Sequence, residues 1–261
     1  SFKFQVSICG SAVRKDNINN LCYSHNGIYH QMRNTIAGIS EDVLLEWITA
    51  SLRERRNVLG RGYQCLTLLY RDAERSLVVK APLGRGLTAY VRRRMLQNEF
   101  AVYGRLSGLP GIPVCHGFLN DRFLVLEFID GVPIQDAGFT DRDFFFGTLL
   151  RQIRSMHRAG VAHGDLKKRD NILVVDGRQP VLLDFGVAVL RKSGLVPANR
   201  YLFSLFKKFD YNAYVKLKYR KRIDRISAED RPFYHRTVVE KSAGWIKRRY
   251  LKIKRWVFGD R

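Results

Sequence analysis

Two short apolar runs, Ile172-Leu173-Val174-Val175 and Val181-Leu182-Leu183, stand on either side of Asp176-Gly177, and no other feature constrains the fold as tightly. Both runs are β-branched or leucine-rich, and an Asp-Gly pair between such runs is a hairpin signal. The polar groups that flank them therefore lie at the outer ends of a strand pair. Before the first strand comes His163-Gly164-Asp165-Leu166-Lys167-Lys168-Arg169-Asp170-Asn171, and after the second comes Asp184-Phe185-Gly186. One short loop thus carries a carboxylate, a lysine and an amide carbonyl, and a second carboxylate follows the hairpin.

Phosphoryl transfer asks little covalent chemistry of a protein; it needs an aligned nucleophile and neutralised phosphate charge. On that reading Asp165 accepts or orients an acceptor hydroxyl, Lys167 neutralises the moving phosphoryl group, and Asn171 with Asp184 holds magnesium. The pattern resembles the catalytic loop and the metal-binding Asp-Phe-Gly of the protein-kinase-like superfamily. It departs from that pattern in one place. The superfamily's asparagine follows its aspartate by five residues, whereas Asn171 follows Asp165 by six, with Asp170 in the fifth place. Asn171 directly precedes the strand, as the motif's asparagine does, which implies a one-residue bulge in the loop. Metal binding by Asp170 is the alternative.

The resemblance implies further parts upstream. Leu59-Gly60-Arg61-Gly62-Tyr63-Gln64-Cys65-Leu66-Thr67 is similar to a glycine loop covering nucleotide phosphates, with Gly60 and Gly62 in place and Cys65 where a third glycine often stands. An ordinary hairpin would explain the glycines as well. Leu77-Val78-Val79-Lys80-Ala81 resembles the strand whose lysine grips those phosphates. Residues 88–106 read as a helix, with Thr88 as a cap and Leu96, Phe100, Tyr103 and Leu106 at helical spacing. Glu99 falls on that inward stripe and is the lone acid between Glu74 and Asp121. A core-facing carboxylate needs a cation; the superfamily pattern offers Lys80, and the neighbouring arginines are the alternative.

Phe123-Leu124-Val125-Leu126-Glu127-Phe128 reads as a strand that runs into Ile129-Asp130-Gly131. By resemblance this connects two lobes, with the backbone from Glu127 to Ile129 bonding adenine and Leu126 behind it. Thr140 with Asp143 forms a possible capping box. The helix that follows carries Phe144, Leu149, Ile153 and Met156 inward and ends at Gly160. His163 reads as a buried scaffold for the loop.

The expected fold class is α+β: a two-lobed protein-kinase-like fold with a reduced C-lobe lacking the Ala-Pro-Glu segment. Its parts are an extension over 1–57 packed on the small lobe, a small lobe over 58–128, a large lobe over 129–225 and a basic amphipathic tail over 226–261. In the extension, Ser40 caps a helix with Val43, Leu44, Trp47, Ile48 and Leu52 on one face. The resemblance covers about residues 58–190, and more loosely to 222.

Charge is unevenly placed. Of a net +22, residues 191–261 hold +15, from 21 basic against 6 acidic side chains. Leu202, Leu205, Phe206 and Phe209 recur there at helical spacing. Nearer the end Ala243, Ile246, Tyr250, Ile253 and Val257 form an apolar stripe beside Trp245 and Trp256, among lysines and arginines. Such a helix suits an anionic membrane surface; nucleic acid binding and a packed helix with solvated charges are the alternatives. The four cysteines are scattered, and no apolar run is long enough to cross a bilayer. A cytoplasmic location is expected, with possible contact at the cytoplasmic face of an inner membrane.

Within the superfamily, the His-Gly-Asp start, the missing Ala-Pro-Glu and the basic aromatic tail look most like bacterial lipopolysaccharide kinases. That resemblance implies ATP and Mg2+ as cofactors and a lipopolysaccharide inner-core sugar as the anionic acceptor. RIO-type atypical kinases are the close rival. Phosphotransferases of aminoglycosides or choline share the His-Gly-Asp start but call for an acidic pocket that this chain does not offer. A nucleotide-binding pseudokinase or membrane adaptor is a reading from another class.

Overall fold

The computed structural model of the protein describes residues 35–61, 65–84, 86–194 and 196–235. A two-residue hairpin, β1 (Thr35–Ile36) and β2 (Ile39–Ser40), leads into helix α1 (Glu41–Glu54). Strands β3 (Val58–Arg61), β4 (Cys65–Arg71) and β5 (Ser76–Pro82) follow, then helix α2 (Gly86–Leu106), β6 (Cys115–Leu119) and β7 (Phe123–Glu127). The five longer strands form one antiparallel sheet in the order β3-β4-β5-β7-β6.

Alternation along β7 gives the sheet two buried faces. Phe123 and Val125 join Leu44 and Ile48 of α1, whereas Leu124 and Leu126 join Leu96, Tyr103 and Leu106 of α2. This is the period of two expected for a strand covered on both sides. Residues 35–57 thus pack on the sheet face opposite α2; residues 1–34 lie outside the described residues. Ser40 stands at the α1 N-cap without a side-chain bond. The buried face of α1 is Leu44, Ile48 and Ser51, and Val43, expected inward, is 54% exposed.

Helix α2 begins two residues before Thr88, which therefore lies in its first turn and is not its cap. Its buried residues are Leu96, Glu99, Val102, Tyr103 and Leu106. Phe100, expected to face the core, is 39% exposed and stacks on Phe118 at 5.4 Å between ring centroids. The stripe is centred about 100° from Phe100, one helical step.

The large lobe begins with β8 (Val132–Pro133) and helix α3 (Arg142–Arg158), followed by β9 (Val161–Ala162). The cap of α3 is Asp141, whose Oδ1 accepts from the Phe144 N–H at 2.9 Å. Thr140, the expected cap, donates its hydroxyl to the Gly177 carbonyl at 3.3 Å. The helix buries Phe145, Phe146, Leu149, Ile153, Met156 and His157, with Phe144 only half-buried under Arg178.

Strands β10 (Ile172–Val175) and β11 (Gln179–Leu182) form the expected hairpin, with Ile172 opposite Leu182 and β8 as a third strand. Asp176 and Gly177 both have positive φ, 50° and 66°, and the Arg178 N–H closes the turn on the Val175 carbonyl at 3.1 Å. Strand β12 (Val189–Leu190) pairs with β9, and helix α4 (Pro197–Lys218) follows.

On α4 the expected apolar face was Leu202, Leu205, Phe206 and Phe209. The buried residues are instead Phe203, Asp210, Asn212, Ala213, Tyr214 and Val215, and Leu202 is 44% exposed. The helix is turned so that the Asp210 carboxylate, beside the half-buried Phe206, meets the loop between β9 and β10. Beyond α4, Ile226 and Asp230 are buried and Phe233 lies 5.2 Å from Tyr211. Residues 226–235 therefore pack on the large lobe. The amphipathic stripe expected from Ala243 onward lies outside the described residues. Among the described residues no helix is long and apolar enough to cross a membrane.

Candidate active site

The antiparallel hairpin sets the site. Because Ile172 faces Leu182, the residues just outside the pair, Asn171 and Leu183, are also joined, with the Leu183 N–H donating to the Asn171 carbonyl at 2.9 Å. Asn171 and the neighbouring Asp184 are thereby brought to one end of the hairpin. The end of the loop forms a short 3-10 turn, Arg169–Asn171. Asn171 is buried, and its Nδ2 donates to the Asp165 carbonyl at 3.1 Å. Its Oδ1 is in no described hydrogen bond. Asp170 is exposed, and its carboxylate accepts from Gln135 at 3.1 Å.

Lys80 at the centre of β5 donates to Glu99 Oε1 at 2.6 Å and to Asp184 Oδ1 at 3.2 Å. Glu99 is 1% exposed, so its partner is Lys80 and not one of the arginines of α2. The same Oε1 accepts the Phe185 N–H at 3.2 Å, which ties α2 to the Asp-Phe-Gly segment. Burial opposes the charge on Lys80, but Glu99 and Asp184 together outweigh it and hold the ammonium pKa well above its usual value. Burial likewise opposes ionisation of Asp184, yet Lys80 and Lys168 prevail and hold its carboxyl below the usual carboxylate range. Asp184 adopts φ 63°. A left-handed backbone costs a non-glycine residue about 1–3 kcal/mol and is found where a side chain must be aimed.

The loop between β9 and β10 is held from below by Asp210 of α4, which is fully buried. Its Oδ2 accepts from the His163 N–H and from His157 Nε2, both at 2.9 Å, and its Oδ1 accepts from the Gly164 N–H at 2.7 Å. Gly164 has φ 78°, and a Cβ there would come within 2.2 Å of the Phe206 ring. His163 is also fully buried. Its Nδ1 accepts the Asp165 N–H at 3.3 Å, so Nε2 carries the proton and donates to the Leu183 carbonyl at 2.9 Å. The imidazole therefore braces Asp165 against the hairpin as a scaffold.

Asp165 stands at the mouth of this arrangement with Lys167 Nζ 3.9 Å from its Oδ1. Lys167 is 81% exposed, free to meet a ligand. Lys168, which the sequence did not single out, lies 3.7 Å from Asp184 Oδ2. Gly60 lies in β3 one residue before its end, paired with Thr67; Gly62 lies outside the described residues. Cys65, in the third glycine place, has its thiol pKa pushed up by burial. In the connecting strand the Glu127 N–H donates to the Val114 carbonyl at 2.8 Å and the Phe128 N–H to Ser76 at 3.3 Å. The Val114 N–H goes to the Glu127 carboxylate at 2.9 Å. No described bond occupies the Glu127 carbonyl or the Ile129 N–H, nor the carbonyls of Phe128 and Ile129.

These donors suit a small divalent cation shared with phosphate. Among the described residues no three His, Cys, Asp or Glu side chains cluster to hold a metal alone. Asn171 Oδ1 and Asp184 are two oxygen donors that could hold magnesium, which takes one or two protein ligands and completes its shell with phosphate and water.

No protein-family model and no curated protein sequence matches the chain. Solved structures do. The Rio2 kinase from Chaetomium thermophilum aligns with TM-score 0.50 and 16% identity, over 73% of this chain and 67% of that one. The fold is protein-kinase-like. A second structure of that protein, the Rio2 kinase-ADP/Mg2+-phosphoaspartate complex, aligns with TM-score 0.49 and 16% identity, over 73% of this chain and 66% of the other. The chain spans about two thirds of the length of these Rio2 structures.

Proposed function

We propose that the protein is a phosphotransferase that uses ATP and magnesium to phosphorylate a hydroxyl. The observation that carries this reading is the buried Lys80, bonded at once to Glu99 and Asp184, facing the end of the hairpin that bears Asn171. ATP with magnesium would supply the transferable phosphoryl group and the positive charge that neutralises the charge developing on the leaving phosphate. Lys80 positions the nucleotide's phosphates, and the Glu127 carbonyl and Ile129 N–H hold the adenine. Asp165 orients the acceptor hydroxyl and takes its proton, while Lys167 offsets charge at the transferring group.

Between the two metal assignments, the buried position of Asn171 against Asp165, and the capture of Asp170 by Gln135, favour Asn171 with Asp184. Asn171→Ala is expected to raise the magnesium concentration needed for half-maximal activity by about tenfold or more, and Asp170→Ala to leave it within about twofold. A magnesium titration of both variants checks this, and the reverse ranking would reassign the ligand.

For the acceptor we favour a hydroxyl of a lipopolysaccharide inner-core sugar, as the cationic last quarter of the chain suits a polyanionic substrate. The likeness to the Rio2 structure supports a second reading, a RIO-like kinase acting on protein serine or threonine. Incubation with labelled ATP and core lipopolysaccharide separates them: label in the lipid fraction supports the sugar, and label on protein alone supports the RIO-like reading. Nucleotide binding with no transferred label would favour a pseudokinase or adaptor.

A further inference from the structure

A second concave site lies where the C-terminal ends of α2 and α3 meet the loop after β12 and the first turn of α4. It is a cleft of about 490 Å³ lined by Arg105, Arg158, Arg191, Lys192, Arg200 and Ser193. Among the described residues none of the five cations is paired with a carboxylate. The first turn of α4 contributes no acidic residue either.

A solvated basic face would explain scattered exposed arginines, but this group converges on one hollow and its backbone is pinned. The Arg191 N–H donates to the Gly160 carbonyl at 2.7 Å, and the Lys192 N–H to Asn199 Oδ1 at 2.8 Å. Asn199 in turn donates to the Leu190 carbonyl at 2.9 Å, so the loop is clamped between β12 and α4. Arg105 Nη1 reaches the Ala159 carbonyl at 3.5 Å and bridges α2 to the end of α3. Four of the five cations are arginines, whose planar fork binds phosphate through paired hydrogen bonds. Each phosphate group carries about 1.5–2 negative charges near neutrality, so five unpaired cations call for more than one of them.

We propose that this cleft is a binding site for a ligand bearing two or more phosphate groups, separate from the site around Asp165 and Asp184. Arg158 and Arg191 grip the phosphates from either side of Gly160, and Arg105, Lys192 and Arg200 complete the neutralisation. Ser193 adds a hydroxyl donor. The proposal does not rest on the phosphotransferase reading, because none of these residues belongs to the catalytic loop or the hairpin.

Titration calorimetry of the full chain with inorganic pyrophosphate tests it, with a non-hydrolysable ATP analogue present to fill the other site. The wild type is expected to bind saturably, and Arg158→Ser with Arg191→Ser to weaken binding about tenfold or more. Arg53→Ser with Arg56→Ser removes the same charge from the end of α1 and is expected to change it by less than about twofold. Arg158→Lys with Arg191→Lys, which keeps the charge and loses the forks, falls between, and guards against a misfolded serine variant. Equal loss in the α1 control, or no saturable binding by the wild type, overturns the site. Phosphatidylcholine vesicles carrying a bisphosphorylated lipid distinguish the source. Sedimentation with them that is lost in the serine variant assigns the phosphates to a lipid headgroup; pyrophosphate binding without sedimentation assigns a soluble ligand. Duplex RNA bound equally by wild type and serine variant, with no saturable pyrophosphate binding, would replace the site by a diffuse basic surface.

Discussion

Asp165→Ala is expected to slow phosphoryl transfer by about 10²–10⁴-fold, the usual worth of a positioned general base. Nucleotide affinity should stay within about twofold, since the lost interaction is made with the acceptor and not with ATP. The structure makes this separation clean. The Asp165 main chain carries the structural bonds, its N–H to His163 and its carbonyl to Asn171, and both survive the substitution. Among the described residues its carboxylate is paired only with Lys167, at 3.9 Å and close to solvent, a pair of little weight in stability. Asp184→Ala would be a poorer experiment, because it also removes a partner of Lys80. Single-turnover transfer from labelled ATP, beside a nucleotide titration, gives the two numbers. An unchanged rate would remove Asp165 from the chemistry, and an affinity loss as large as the rate loss would assign it to nucleotide binding.

Glu99 and Asp210 show how much of such a site is readable in advance. Each is a carboxylate on the buried stripe of a helix, and each is placed there by a partner it must satisfy. Glu99 stands out because α2 is otherwise basic on its outer side, so a lone acid in register with Leu96, Tyr103 and Leu106 needs a cation; the sequence leaves Lys80 and the arginines open, and the structure gives Lys80. Asp210 obeys the same rule with Phe203, Ala213 and Tyr214. It was hidden because Tyr201, Leu202, Phe203, Leu205, Phe206 and Phe209 spread apolar side chains over more than half the circumference of the first turns of α4. An apolar arc that wide does not fix its own centre, and the buried stripe lies about one helical step from the middle of the arc. The acid itself was the better marker of which face is buried.

The errors at helix starts have a more local origin. Thr140 and Asp141 are adjacent cap formers, and the choice between them is made by the hairpin turn, whose Gly177 carbonyl claims the Thr140 hydroxyl. No reading of residues 138–146 alone contains that long-range bond. The hairpin, by contrast, is readable from Asp176 and Gly177, which take the positive φ values such a pair tolerates best, although its second strand is Gln179–Leu182 and not Val181–Leu183. The one-residue excess before Asn171 is also visible as a count, but the 3-10 turn that ends the loop is not.

The largest stability effect is expected at Asp210. Asp210→Ala removes the acceptor for the His163 N–H, the Gly164 N–H and His157 Nε2 together. A buried donor left without a partner costs about 1–3 kcal/mol, so the loss is about 3–5 kcal/mol once some relaxation is allowed. For a chain of this size that corresponds to a fall in Tm on the order of 10 °C. Asp210→Asn should fall less, since one oxygen still accepts, but its amide must turn an N–H toward a donor. Both variants should also lose activity where they remain folded, because the loop below Asp165 is no longer anchored to α4. Thermal melts together with transfer rates below the transition check the pair of effects. An alanine variant that melts within about a degree of the wild type would mean that water replaces the carboxylate, and the loop would then owe its position to His163 and Asn171 alone.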